Sequence, residues 1–193
     1  MFAAKIPMSM TVEEFLEWDS GDDYTWQLVD GEPQAMAPTK RTHGALQSEL
    51  GRQIGNHLER VGGPCSVVTA PGIIPKVLAK HNFRIPDLAV SCTPYESEES
   101  ALSNPVLIVE ILSPSNQAAT RSNVWTYATI PSIQEILVLK SIAIGAELLR
   151  RLPDGSWPAE PLIVSEGELA LDSIGFRVDL AQLYRTTRLA RPA

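Results

Sequence analysis

Positive charge is in short supply in this sequence. Sixteen Lys and Arg stand against 23 Asp and Glu, for a formal net charge of −7. Proteins that grip nucleic acid without sequence preference carry a basic surplus or a basic stripe. Here the basic residues are scattered, with small clusters at Lys40-Arg41, at Arg150-Arg151 and from Arg185 onward. A coat of nonspecific nucleic acid is thereby excluded. Cysteine is scarce too. Cys65 and Cys92 lie far apart, with no Cys-x-x-Cys and no histidine beside either. That argues against a zinc site and against a disulfide in a reducing compartment, and both are expected as small buried hydrophobes. No apolar run reaches the roughly 18 to 20 residues of a membrane span. The opening residues 1–7 lack the apolar core of a signal peptide, so a cytoplasmic protein with no membrane partner is expected. Aromatic residues make up only 6%. The tryptophans at 18, 26, 125 and 157 are expected to pack rather than to stack on bases, and no aromatic sugar platform stands out. A pair of metal-free acids of the glycosidase kind is therefore set aside.

What is present is a foldable core. Hydrophobic residues make up 44% and charged residues 20% of 193, which fits one domain over 1–193 with its core at about 11–184. Thr11 followed by Glu13 and Glu14 predicts a short capped helix. Asp30-Gly31 between two apolar stretches predicts a hairpin, with Pro33 marking an edge or irregular second strand. Leu46, Leu50, Ile54, Leu58 and Val61 fall on one helical face, predicting a long helix capped by Thr42 and stopped at Gly62-Gly63-Pro64. Three short branched stretches at 65–70, 72–78 and 83–90 predict a meander, and 93–104 an exposed loop. The runs 106–112 and 133–140 predict buried strands. A helix at about 118–128 joins them, so they should be parallel. The rest, 143–151, 162–165, 168–171 and 175–178, predicts short antiparallel strands before a terminal helix begun at Asp179.

Two of these apolar runs carry a single acid each: Asp87 in 85–90, and Glu110 in 106–112. An unpaired carboxylate in a buried strand costs several kcal/mol or shifts its pKa. Two of them point to a site where a divalent cation compensates both, and hard carboxylate oxygens suit Mg2+ or Mn2+. Plainer readings stand beside this one. Asp87 could be a turn or cap residue, Glu110 a paired structural acid, Glu32 an exposed strand residue, His43 a helix-start surface residue and Asn123 a helix-surface residue.

Several segments in order carry a family resemblance. They are Leu28-Val29-Asp30-Gly31-Glu32; Met36-Ala37-Pro38 with His43; Pro86-Asp87; Val109-Glu110-Ile111-Leu112-Ser113-Pro114-Ser115; and Tyr127 followed by Ile130-Pro131-Ser132-Ile133-Gln134-Glu135. The sequence resembles the Uma-two family of restriction-type endonucleases, within the PD-(D/E)xK nuclease superfamily. The resemblance spans about 11–184. It implies an α/β (α+β) restriction-endonuclease-like core, a mixed central sheet flanked by helices. It also implies a magnesium-type site on Asp87 and Glu110, with DNA as substrate. Glu32 is then a candidate third acid and His43 a nearby supporting group. The superfamily pattern places a lysine two residues beyond the second acid, which here is Leu112. Many members carry it instead on the next helix, which here is Asn123. Asparagine donates a hydrogen bond but brings no charge. Lys140, at the end of the neighbouring parallel strand, is the candidate replacement, with Lys76 and Arg121 weaker ones. Two functions follow as expectations. One is a metal-dependent endonuclease with Asp87, Glu110, Glu32, Asn123 and Lys140 as catalytic candidates. The other is a catalytically impaired relative acting as a binding or assembly module; a homodimer is expected.

Overall fold

The computed structural model describes residues 9–114 and 116–190. The amino-terminal stretch read for a leader, and Ser115 of the Ser113 loop, lie outside the described residues. The chain begins with α1 (Val12–Glu17), closed by a capping box in which Thr11 and Glu14 bond each other's backbone N–H. β1 (Trp26–Val29) and β2 (Glu32–Ala35) form the expected hairpin. Its turn needs left-handed backbone, and Asp30 and Gly31 supply it with φ of 50° and 86°. α2 (Arg41–Val61) buries Leu46, Leu50, Ile54 and Leu58. Thr42 does not cap it: Lys40 holds the cap position, and no side chain bonds the first turn. Val61, expected on the buried face, is 67% exposed. Gly62, at φ 73°, ends the helix and bonds back to the Leu58 carbonyl.

β3 (Ser66–Thr69), β4 (Leu88–Ser91), β5 (Pro105–Leu112), β6 (Glu135–Lys140), β7 (Ala146–Arg150) and β8 (Leu162–Val164) make one six-stranded sheet in that order. β5 and β6 are parallel and every other pair is antiparallel. α3 (Gln117–Tyr127) provides the crossover between the parallel pair. β9 (Glu168–Leu171) and β10 (Phe176–Asp179) pair separately, and α4 (Leu180–Leu183) follows, capped by the Asp179 side chain.

The expected meander is corrected here. Residues 72–78 form no strand. Their one ladder-type pairing is the bridge Ile73–Arg84, and a 3-10 turn at Ala79–His81 follows. Proline and a left-handed Leu78 (φ 45°) interrupt the ladder. The cysteine reading is corrected as well. Cys65 and Cys92 are joined by a disulfide across 27 residues. The β3–β4 register pairs Ser66 with Ser91, so the cysteines lie one step beyond it and face each other across the sheet. Sequence distance hid that adjacency.

The sheet is covered on both faces, which is why β5 reads as an almost unbroken apolar run. Leu107, Val109 and Ile111 pack with α2 and α4. Ile108 packs with Val124 and Tyr127 of α3. Side chains alternate along a strand, so Glu110 points to the α3 face.

Candidate active site

β4 enters the sheet with Leu88 opposite Val109 of β5. One step further along the same register, Asp87 comes opposite Glu110. The two lone acids of the sequence are thus brought to one place, and both line a single cleft. Asp87 is held from three directions. His43 Nε2 donates to Oδ1 at 2.6 Å, and the Ile111 backbone N–H donates to Oδ2 at 2.6 Å. Its carbonyl accepts from Gln47 Nε2 at 2.8 Å and from the Ala70 N–H at 3.1 Å. His43 and Gln47 lie one turn apart on α2, so the start of that helix aims both at one residue.

Glu110 is 5% exposed. Its carboxylate accepts from Asn123 Nδ2 at 3.3 Å. Burial, and then the negative charge of Asp87, push it up from an ordinary 4.5 to about 8. Tyr127 of α3 lies beside it. Burial and the Glu110 charge raise the Tyr127 hydroxyl well above its usual range. Behind Asn123 sits Arg84, 4% exposed, whose Nη1 donates to Asn123 Oδ1 at 3.0 Å and whose Nε donates to Asn82 Oδ1 at 3.1 Å. Burial lowers the guanidinium pKa.

Asp87, Glu110, Asn123 and His43 are therefore brought together. Glu32 and Lys140 are not. Glu32 begins β2 at the turn end of the hairpin, exposed, and does not line the cleft; Gln34 of the same strand does. Lys140 stands opposite Leu112 across the parallel pair, as the topology implied. Its Nζ lies 3.7 Å from Glu147 of β7, on the side away from Glu110. Arg121 is bound to Glu147 as well. Three contributors escaped the sequence reading. Lys40, at the mouth, and Gln27, whose buried Oε1 has no partner, line the cleft. Lys40 showed only as part of the small Lys40-Arg41 cluster, and Gln27 carries no local signal. Arg84 did carry one: it is a lone cation in the same apolar run as Asp87.

The donor set was tested against a metal ion. Among the described residues no three His, Cys, Asp or Glu side chains form a ready cage, so a zinc-type site does not fit. A magnesium-type ion does. It needs one or two carboxylates and takes its other ligands from water and substrate phosphate. Two carboxylates converging on one cleft, with the buried amide oxygen of Gln27 also lining it, are a donor set such an ion would complete.

Comparison with known proteins agrees with this architecture. The family model described as "Uma2: Putative restriction endonuclease" matches residues 12–181. The uncharacterized protein slr1290 of Synechocystis sp. is 29% identical over 178 residues, covering 91% of this chain and 92% of its own. The crystal structure of a "putative nuclease belonging to DUF820" from Anabaena variabilis superposes with a TM-score of 0.72 at 16% identity, over 91% of this chain and 97% of that one. That likeness shows the fold: a mixed α+β core around a mixed central sheet, as the sequence implied. With the family model covering most of its length, the chain belongs to the Uma2 restriction-endonuclease family.

Proposed function

We propose that this protein is a metal-dependent endonuclease that hydrolyses DNA phosphodiester bonds in the cleft holding Asp87 and Glu110. The observation that carries the reading is the convergence of Asp87 and Glu110 in one cleft, where burial and then the Asp87 charge push Glu110 up to about 8 and, among the described residues, no Lys or Arg bonds either carboxylate. Such an arrangement gains most when a divalent ion is present. Asp87 and Glu110 would hold Mg2+ or Mn2+. When bound, the ion neutralises phosphate charge and lowers the pKa of water. The chain's own residues do the positioning. His43 and the Ile111 N–H fix the Asp87 carboxylate, and Asn123 fixes that of Glu110. Lys40 offers a positive charge at the mouth, where a phosphate would enter. In the reaction, water oxygen bonds to phosphorus, one P–O ester bond breaks, and the leaving oxygen takes up a proton.

The test is cleavage of plasmid and linear DNA with Mg2+ or Mn2+, compared between wild type and Asp87→Ala. Metal-dependent cleavage lost in the variant supports the reading. Absence of cleavage across several DNA forms overturns it. A second reading, a nuclease-fold protein that binds or assembles without cutting, is favoured by one observation: Leu112 and Asn123 bring no charge, and Lys140 is taken by Glu147. It predicts Mn2+ binding by calorimetry with no cleavage.

A further inference from the structure

Arg84 is a buried cation without a buried anion of its own. Its side chain is 5% exposed, and its nearest carboxylate is Asp30, 4.0 Å away and 62% exposed. Its hydrogen bonds go to two neutral amides, Asn82 and Asn123. Arg121, Arg52 and Arg150 each bond a carboxylate directly. A buried guanidinium costs several kcal/mol unless its charge is used. What lies beyond Asn123 is Glu110.

The chemistry of the three groups fixes their order. Guanidinium only donates, so it must take the Asn123 oxygen. The amide nitrogen then has to face Glu110, which it does. Asn123 thus transmits a donor from a charge that never touches the acid. We infer that Arg84 is the positioning cation of this cleft, supplying through Asn123 the fixed positive charge that Leu112 and Asn123 cannot. This deepens the proposed function, because it takes Glu110 to be the working acid. It accounts for a buried arginine between two asparagines, and for an asparagine where a charge would serve.

The test moves the charge. Arg84→Met, Asn123→Lys and the double variant are prepared as full-length protein, and their thermal unfolding and DNA cleavage are measured. Arg84→Met leaves Glu110 uncompensated, and Asn123→Lys sets two cations side by side. Each single variant is expected to lower Tm by several degrees and to slow cleavage about 10- to 100-fold, the range for losing a supporting partner. The double variant has one cation again. It is expected to recover at least half of the summed Tm loss and to cleave within about tenfold of wild type. Lysine at 123 cannot restore the bond to Asn82, so losses that simply add would make Arg84 a structural tether and overturn the inference. Should Arg84→Met not fold, Arg84→Lys and Arg84→Gln decide. The inference expects Lys, which keeps the charge, to exceed Gln in Tm. Gln equal to or above Lys overturns it. The thermal comparison needs no DNA, so it stands even if the protein proves unable to cut.

Discussion

Glu110 and Glu147 make an instructive pair. Both are strand acids on the α3 face, 5% and 7% exposed. The register sets them in one row, with Val138 of β6 between them. α3 meets each with a side chain, Asn123 for Glu110 and Arg121 for Glu147. There the likeness ends. Arg121 grips Glu147 with two nitrogens, and Lys140 adds its charge, so the carboxyl is held below its usual range. Glu110 meets an amide instead of a cation, and burial and then the neighbouring Asp87 charge push it up. Two strand acids in one row thus have opposite electrostatic fates: Arg121 and Lys140 hold Glu147 down, whereas burial and the Asp87 charge push Glu110 up. The neutralised acid joins strand to helix. The one that no cation touches directly is poised to gain from a ligand.

The comparison can be tested at its strongest point first. Asp87→Ala or Glu110→Gln should reduce metal-dependent cleavage by about a thousandfold or more, as for loss of a principal charge-stabilising group. Glu147→Gln should leave cleavage within a few-fold of wild type, measured as initial rates on supercoiled plasmid.

The next effect is on stability against pH in metal-free protein. Glu110 is raised from 4.5 to about 8. Between those values the folded state holds a proton that the unfolded state has released. Stability therefore falls as pH rises through that window, at up to about 1.4 kcal/mol per pH unit. Glu110→Gln should flatten that fall, and excess Mn2+ should shrink it. For Glu147 the sign is reversed: its carboxyl is held down, so its stabilisation is present above its ordinary value and lost only in acid. Glu147→Gln should leave the slope between pH 5 and 8 unchanged. Urea titrations across the range give both curves.

Smaller still is the effect of removing the grip on Glu147. Arg121→Met strands that acid, but Arg121 is 42% exposed and Lys140 remains. A loss of about 1–2 kcal/mol is expected after allowing for solvent screening. The smallest effect separates the two lysines. Lys40→Ala should weaken DNA binding and lower its salt dependence by about one charge, whereas Lys140→Ala should leave both unchanged. Fluorescence anisotropy with a labelled duplex, over a salt series, reads this.

Much of this was legible because strands announce themselves. Asp87 and Glu110 stood out as lone acids in otherwise apolar runs. The helix–strand alternation around 106–140 left little choice but a parallel pair. What stayed hidden depends on contacts between distant strands. Lys140 was placed on the right strand and beside the right partner, but Glu147 is contributed by the following strand, antiparallel to it, and only the three-dimensional register shows it waiting there. The disulfide was hidden for the same reason. Arg84 was overlooked within the stretch 83–90 read as one strand, whose first two residues make only isolated bridges, Phe83 to Leu28 and Arg84 to Ile73. Thr42 looks like a cap by residue type, yet the chain turns into the helix at Lys40.

The hydrogen bond from the Ile111 N–H to Asp87 Oδ2 has a consequence for how this site tolerates change. β4 and β5 are paired from Leu88 and Val109, and where that ladder stops a side chain takes the next N–H in place of a backbone carbonyl. Asp87 therefore serves as the last rung of the sheet as well as one of the two proposed metal ligands. Its position is set by the backbone of the strand that carries Glu110, like a gauge block fixed to the bench it measures. A substitution at 112 or 123 alters which charge faces the acids but leaves their separation alone. A substitution at 87 removes the acid together with one hydrogen bond at the end of the ladder.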